Sequence, residues 1–137
     1  KTVPVMLACG VDPYIHKRRA FDLGRQIGRA IESHDGDERV VVIGSGGISH
    51  WVGTAEMGRI NPDFDRMVLD CVARGDAEAL IALDDATILE QGGNGAMEIR
   101  TFICAMGAVG ASHARVIDYL PVPGWITGLG FAELAAA

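Results

Sequence analysis

Cysteine is scarce in this chain and scattered. Cys9, Cys71 and Cys104 are odd in number, far apart and contain no CxxC pair. That excludes a disulfide framework and a thiolate zinc site, and it fits a reducing compartment. Three small core residues are the simplest reading. Positive charge is also short: 12 Lys and Arg stand against 18 Asp and Glu, a net charge of −6. A nucleic-acid surface needs clustered cations to displace counterions, so that class is excluded. No stretch approaches the ~18 uninterrupted apolar residues of a membrane span. The N-terminal KTVPVMLACGVDPY has too short an apolar run for a signal peptide and reads as a cytoplasmic strand. The chain starts at Lys1 and enters that run at once, which raises the expectation that it is the later part of a longer chain.

What is present is enough for one domain with a real core: 137 residues, 49% apolar. Glycine, at 18 residues, is nearly twice the usual ~7% and shows no repeat. This points to an α/β chain with tight loops. Val3 to Ala8 reads as a strand, and Arg39 to Ile43 (RVVVI) as a central strand covered on both faces. Between them, Ala20, Leu23, Ile27 and Ile31 recur at helical spacing from about His16 to Ser33. Asn61-Pro62 opens a helix that ends near Arg74-Gly75. Short helices are expected over Asp76–Leu83 and Ala86–Leu89, and a longer one from Ala96 to Met106, ended by Gly107 and Gly110. Ala114 to Leu120 reads as a strand, Pro121 to Gly124 as a turn, and Trp125 to Phe131 as a further strand or loop. The tail ELAAA carries no site signal. Strands alternating with helices give an α/β fold, a central mixed β-sheet with helices on both faces.

Two places carry chemistry. Gly44-Ser-Gly-Gly-Ile-Ser-His50 leaves the expected central strand at its carboxyl end, where open α/β sheets bind ligands. Glycines there let backbone approach a ligand closely, and His50 stands where the loop opens. A loop histidine bonded to backbone is an equal alternative. A phosphate-binding loop is a weaker one, since neither GxGxxG nor GK[ST] occurs. The second place is Glu98, near a helix start and close to an apolar stripe. A carboxylate there must be paired, hydrogen-bonded or metal-bound. A partnership with the helix dipole or with Arg100 competes with any functional role. His16, His34 and His113 read as bland, and no HxxxH or HxH pair makes a self-contained metal site visible.

GSGGISH, then GRINPDFD, then GNGAMEIRTFICAMGAVG resemble the later half of the class III extradiol ring-cleavage dioxygenases. The nearest likeness is to catalytic β subunits that act on protocatechuate or gallate. The resemblance runs from the helix at His16 to the region of Thr127. It implies that residues 1–137 are the C-terminal portion of an extradiol dioxygenase-like catalytic domain. It also implies a non-haem Fe(II) held by two histidines and one glutamate. Glu98 matches the glutamate ligand and His50 the acid/base histidine. Thr127, Ser49 and Gly47 fall at substrate-binding positions. No segment here matches the two histidine ligands, so the resemblance expects them from outside this chain. It further implies a catecholic substrate and O2, the N-terminal half of the catalytic chain as a partner, an oligomer, and in some relatives a small α subunit. A non-catalytic interaction or regulatory subunit of the same fold is the second reading. A small phosphate-binding domain using Gly44 to Gly47 is the third.

Overall fold

The computed structural model describes residues 1–110 and 113–135, so the last two residues of the ELAAA tail lie outside the described residues. Helix α1 spans Lys17–Glu32 and starts because His16 caps it, its Nδ1 accepting the Arg18 N–H at 3.2 Å. It lies along α5, Ile99–Val109, and the glycines of both helices explain how closely. A methyl on Gly24 would overlap the carbonyl oxygen of Cys104, and one on Gly28 that of Ala108. Gly107 repeats this from the other side, against the Phe21 carbonyl. It therefore sits inside α5 rather than ending it, and Gly110, left-handed at φ 64°, is the stop.

Helix α2, Pro62–Ala73, begins as its sequence predicts, with the Asn61 side chain accepting the Phe64 N–H at 3.3 Å. Its buried face, Phe64, Val68, Leu69, Cys71 and Val72, meets Leu80 of α3 (Ala77–Ala82), Ile88 of α4 (Asp85–Gly92), and Ile99, Ile103 and Met106 of α5. Asp76 caps α3 through the Ala79 N–H at 3.0 Å. A 3-10 turn, Gly95–Glu98, leads into α5. Strands β1 (Ala114–Val122) and β2 (Thr127–Leu134) form an antiparallel pair, with a bulge between Val116 and Asp118 and a short 3-10 turn at Pro123–Trp125. Both strands pack on α2.

The α/β class read from the sequence stands, but the sheet within it differs. Among the described residues it has two antiparallel strands and is not a central mixed sheet. The runs at 3–8 and 39–43 pair with no strand. A strand is defined by its neighbours, and a β-branched run alone does not supply one. Val3, Val5, Met6, Val40, Val41 and Ile43 are consequently exposed.

Below the start of α5 lies a buried cationic knot. Arg100 is fully buried: its Nε donates to Ile15 O at 2.7 Å, Nη1 to Met97 O at 3.2 Å, and Nη2 to Asp85 Oδ2 at 2.7 Å. Lys17, also buried, pairs with Asp85 Oδ1. Tyr14 stacks 5.4 Å from the guanidinium. One aspartate thus answers two buried cations and joins α1, α4 and α5. Burial pushes its carboxyl up, but Lys17 and Arg100 more than offset this and hold it below the usual 3.8. Because the folded value is depressed, the contribution exists above pH 3.8 and is lost as pH falls through the folded value. Asp85→Asn should cost more than the roughly 1 kcal/mol of a surface pair and approach the roughly 3 kcal/mol lower end for a buried one. Urea denaturation should show this gap at neutral pH and its closure as pH falls through the depressed value of Asp85.

Candidate active site

His50 is held by its backbone. Its N–H donates to Gly92 O at 2.8 Å, and its carbonyl accepts the Gly95 N–H at 3.0 Å. Asn94 continues the pairing with its side chain: Oδ1 accepts the Val52 N–H at 2.8 Å and Nδ2 donates to Val52 O at 3.0 Å. Between these contacts the chain turns at Gly93, whose φ of 83° suits glycine. Gly95 is glycine for a different reason: any Cβ there would lie on the imidazole of His50. The ring is thus pressed against bare backbone. Its Nε2 is buried with no hydrogen-bond partner and lies 3.7 Å from Glu98 Oε2.

Glu98 ends the 3-10 turn and stands at the start of α5. Its Oε2 accepts the Gly47 N–H at 3.0 Å. Gly46 packs directly on the same side chain, at positions a Cβ would fill. Thr101 Oγ1 sits 2.7 Å from Ser45 O and 2.9 Å from Glu98 O, tying the loop to α5. The side chain is 39% exposed, so it is not the buried carboxylate that its place near the stripe suggested. Arg100 does not neutralise it, being turned toward Asp85.

The sequence-predicted residues divide. His50, Glu98, Gly47 and Thr127 converge: the Thr127 Oγ1 occupies the space a Gly47 side chain would take. Ser49 is turned away. It is fully buried, its hydroxyl donates to Asp65 Oδ2 at 2.9 Å and accepts the Asn61 N–H at 2.9 Å, and it cannot reach a ligand beside His50. The phosphate-loop reading fails on charge, because a carboxylate already takes the Gly47 N–H. Ile126, just before Thr127, has φ 55°. A β-branched residue rarely adopts that conformation, and such strain gathers at functional sites. His16 is a helix cap and His34 pairs with Glu38 on the surface. Among the described residues, no group of three or more His, Cys, Asp or Glu is arranged to hold a metal.

Sequence reasoning missed Asn94, Gly95, Asp65 and Tyr119. Asn94 and Gly95 fall in a glycine-rich loop stretch, and Asp65 in the first turn of α2, where an acid draws no notice. Yet Asp65 is fully buried, accepting the Ser49 N–H at 2.7 Å and the Tyr119 hydroxyl at 2.6 Å. Burial pushes its carboxyl up, against the pull of these bonds, and burial and Asp65 together raise the Tyr119 phenol.

Residues 1–130 match a family model described as the catalytic LigB subunit of aromatic ring-opening dioxygenase. A 2,3-dihydroxyphenylpropionate/2,3-dihydroxicinnamic acid 1,2-dioxygenase of Burkholderia vietnamiensis is 31% identical across 93% of this chain and 54% of its own length. The enzyme of the same name from Photorhabdus laumondii is 27% identical across 96% of this chain and 56% of its own. One from a Rhodococcus species is 33% identical across 78% and 34%. The chain spans about half the length of the first two of these relatives.

The contact between Gly95 and the imidazole is open to test. Gly95→Ala should displace the ring and cost about 1–3 kcal/mol by overpacking. Urea denaturation reads the cost, and the His50 imidazole NMR signals should shift; unmoved signals would count against the contact.

Proposed function

Since the chain belongs to the family of the catalytic LigB subunit of aromatic ring-opening dioxygenases, we propose that residues 1–137 are the C-terminal portion of such a catalytic domain. The proposed reaction is non-haem Fe(II)-dependent extradiol cleavage of a catecholic aromatic acid by O2. The observation that carries this is the pairing of an imidazole, whose Nε2 is buried and without a hydrogen-bond partner, with a carboxylate 3.7 Å away. The open surface supports the portion reading: the unpaired run at 40–43 borders an apolar groove with Phe102, Met106 and Ile117.

Fe(II) prefers two histidines and a carboxylate with open positions. This chain fits one corner of that set. Glu98 is anchored by the Gly47 N–H and still partly exposed. The two histidines are then supplied from outside these 137 residues. When bound, the metal would orient the catechol and O2 and relay electrons between them. Everything else falls to the chain. The Nε2 of His50 takes a proton from a ring hydroxyl and returns one as the ring opens. Gly95 and Gly92 hold that ring in place. Gly47 and Thr127 form the wall beside it, and the Thr127 hydroxyl is the polar group there for a substrate carboxylate.

The relatives are named for 2,3-dihydroxyphenylpropionate, and the motif resemblance points to protocatechuate or gallate. All share vicinal hydroxyls and a carboxylate, which is the substrate class proposed. No helix among the described residues is long and apolar enough to cross a membrane. We assign the activity to the cytoplasm, within an oligomer whose partners include the N-terminal half of the catalytic chain and, as in some relatives, a small α subunit. A non-catalytic subunit is the competing reading, favoured by the lack of a three-donor cluster among the described residues.

The test uses the protein in its complete form, loaded with Fe(II), with O2 uptake measured on all three acids. His50→Ala should lower turnover by about 10²–10⁴-fold with iron content retained, whereas Glu98→Ala should lower iron content itself. Turnover that survives His50→Ala removes the acid/base role, and absence of O2 uptake with every acid favours the non-catalytic subunit.

A further inference from the structure

Behind the site, on the side away from His50 and Glu98, one carboxylate gathers three separate parts of the chain. Asp65 lies in the first turn of α2 and is fully buried. Its Oδ1 accepts the Ser49 N–H at 2.7 Å; its Oδ2 accepts the Ser49 hydroxyl at 2.9 Å and the Tyr119 hydroxyl of β1 at 2.6 Å. The Ser49 oxygen in turn accepts the Asn61 N–H at 2.9 Å. Asp65 also touches β2, since a methyl on Gly128 would fall on its carboxylate. Gly128 and the loop are bonded to each other: the Ile48 N–H donates to Gly128 O and the Gly128 N–H to Ser49 O, both at 3.0 Å.

The connectivity gives this arrangement its meaning. Ser49 precedes His50 and Gly128 follows Thr127. One buried group therefore backs both residues that the proposed chemistry places against substrate. No ion pair among the described residues includes Asp65: the neighbouring Arg66 bonds Asp63 and lies 6.0 Å from the Tyr119 ring. Burying a carboxylate without a cation is costly, and an apolar residue of the same shape would cost the fold less. A fully hydrogen-bonded polar network does something an apolar contact does not: it fixes direction as well as distance.

We propose that Asp65 is a positioning residue that sets His50 and Thr127 relative to each other, through Ser49 and Gly128, and so tunes the ring-cleavage step. The inference rests on the function proposed above for its chemistry, but its geometry can be tested without it.

The experiment compares Asp65→Asn with Tyr119→Phe in the complete Fe(II)-loaded protein, using Glu78→Gln, in an exposed pair with Arg18, as the control. Asp65→Asn should lower kcat by about ten- to hundredfold while iron content and KM stay within about twofold. Tyr119→Phe, which removes one bond of three, should lower kcat less. Hydrogen exchange at the Ser49 and Gly128 amides should quicken at least tenfold in Asp65→Asn, and the His50 imidazole NMR signals should move; the control should change neither. Unchanged kcat with unmoved His50 signals overturns the proposal, whatever happens to thermal stability. If Asp65→Asn does not fold, Tyr119→Phe decides on the same readouts. If the parent protein cleaves no catechol, the function proposed above has failed, and the exchange and imidazole readouts still judge the positioning by themselves.

Discussion

The hydrogen bond from the Gly47 N–H to Glu98 Oε2, 3.0 Å long, joins a loop to a helix start far along the chain. It forms because backbone meets side chain with no Cβ between them. Gly46 lies against Glu98, Gly47 against the Thr127 hydroxyl, and Gly95 against the imidazole of His50. Each of these side chains has a glycine as its wall. A residue with a side chain at any of these positions would have to push a polar group aside. The glycines therefore act here less by conformational freedom than by the volume they leave for others.

Charge is arranged to match. The cations nearest the start of α5 are spent on Asp85, which draws Arg100 and Lys17 into one buried knot beneath the helix. Glu98, two residues before Arg100, is left to a backbone N–H and to the vicinity of His50. A partly exposed carboxylate without a cation beside it suits the binding of a cation better than one already neutralised by a guanidinium.

The sequence made part of this visible. Helices α1 and α2 and the cap at Asn61 follow from local chemistry: apolar spacing, a side-chain acceptor at the N-cap, proline at the first position. The loop from Gly44 to His50 and the acid at Glu98 stood out because glycine clusters and misplaced carboxylates are local signals. The sheet did not follow, because a valine-rich run announces only that it wants neighbours, and the described residues give none to 39–43. Asp65 was invisible for a related reason. In a first helical turn an aspartate reads as a dipole partner, and its burial depends on Tyr119, 54 residues away. Ser49 misled by adjacency: it lies beside His50 in the chain, but the bend at 48–49 turns its side chain to Asp65 in the interior.

The run from Arg39 to Ile43 leads straight into the loop that begins at Gly44. An uncovered ribbon of this composition is adhesive toward any extended polypeptide. Pairing there would leave the loop itself in place, since the Gly47 N–H on Glu98 and the His50 N–H on Gly92 already hold it from within the chain.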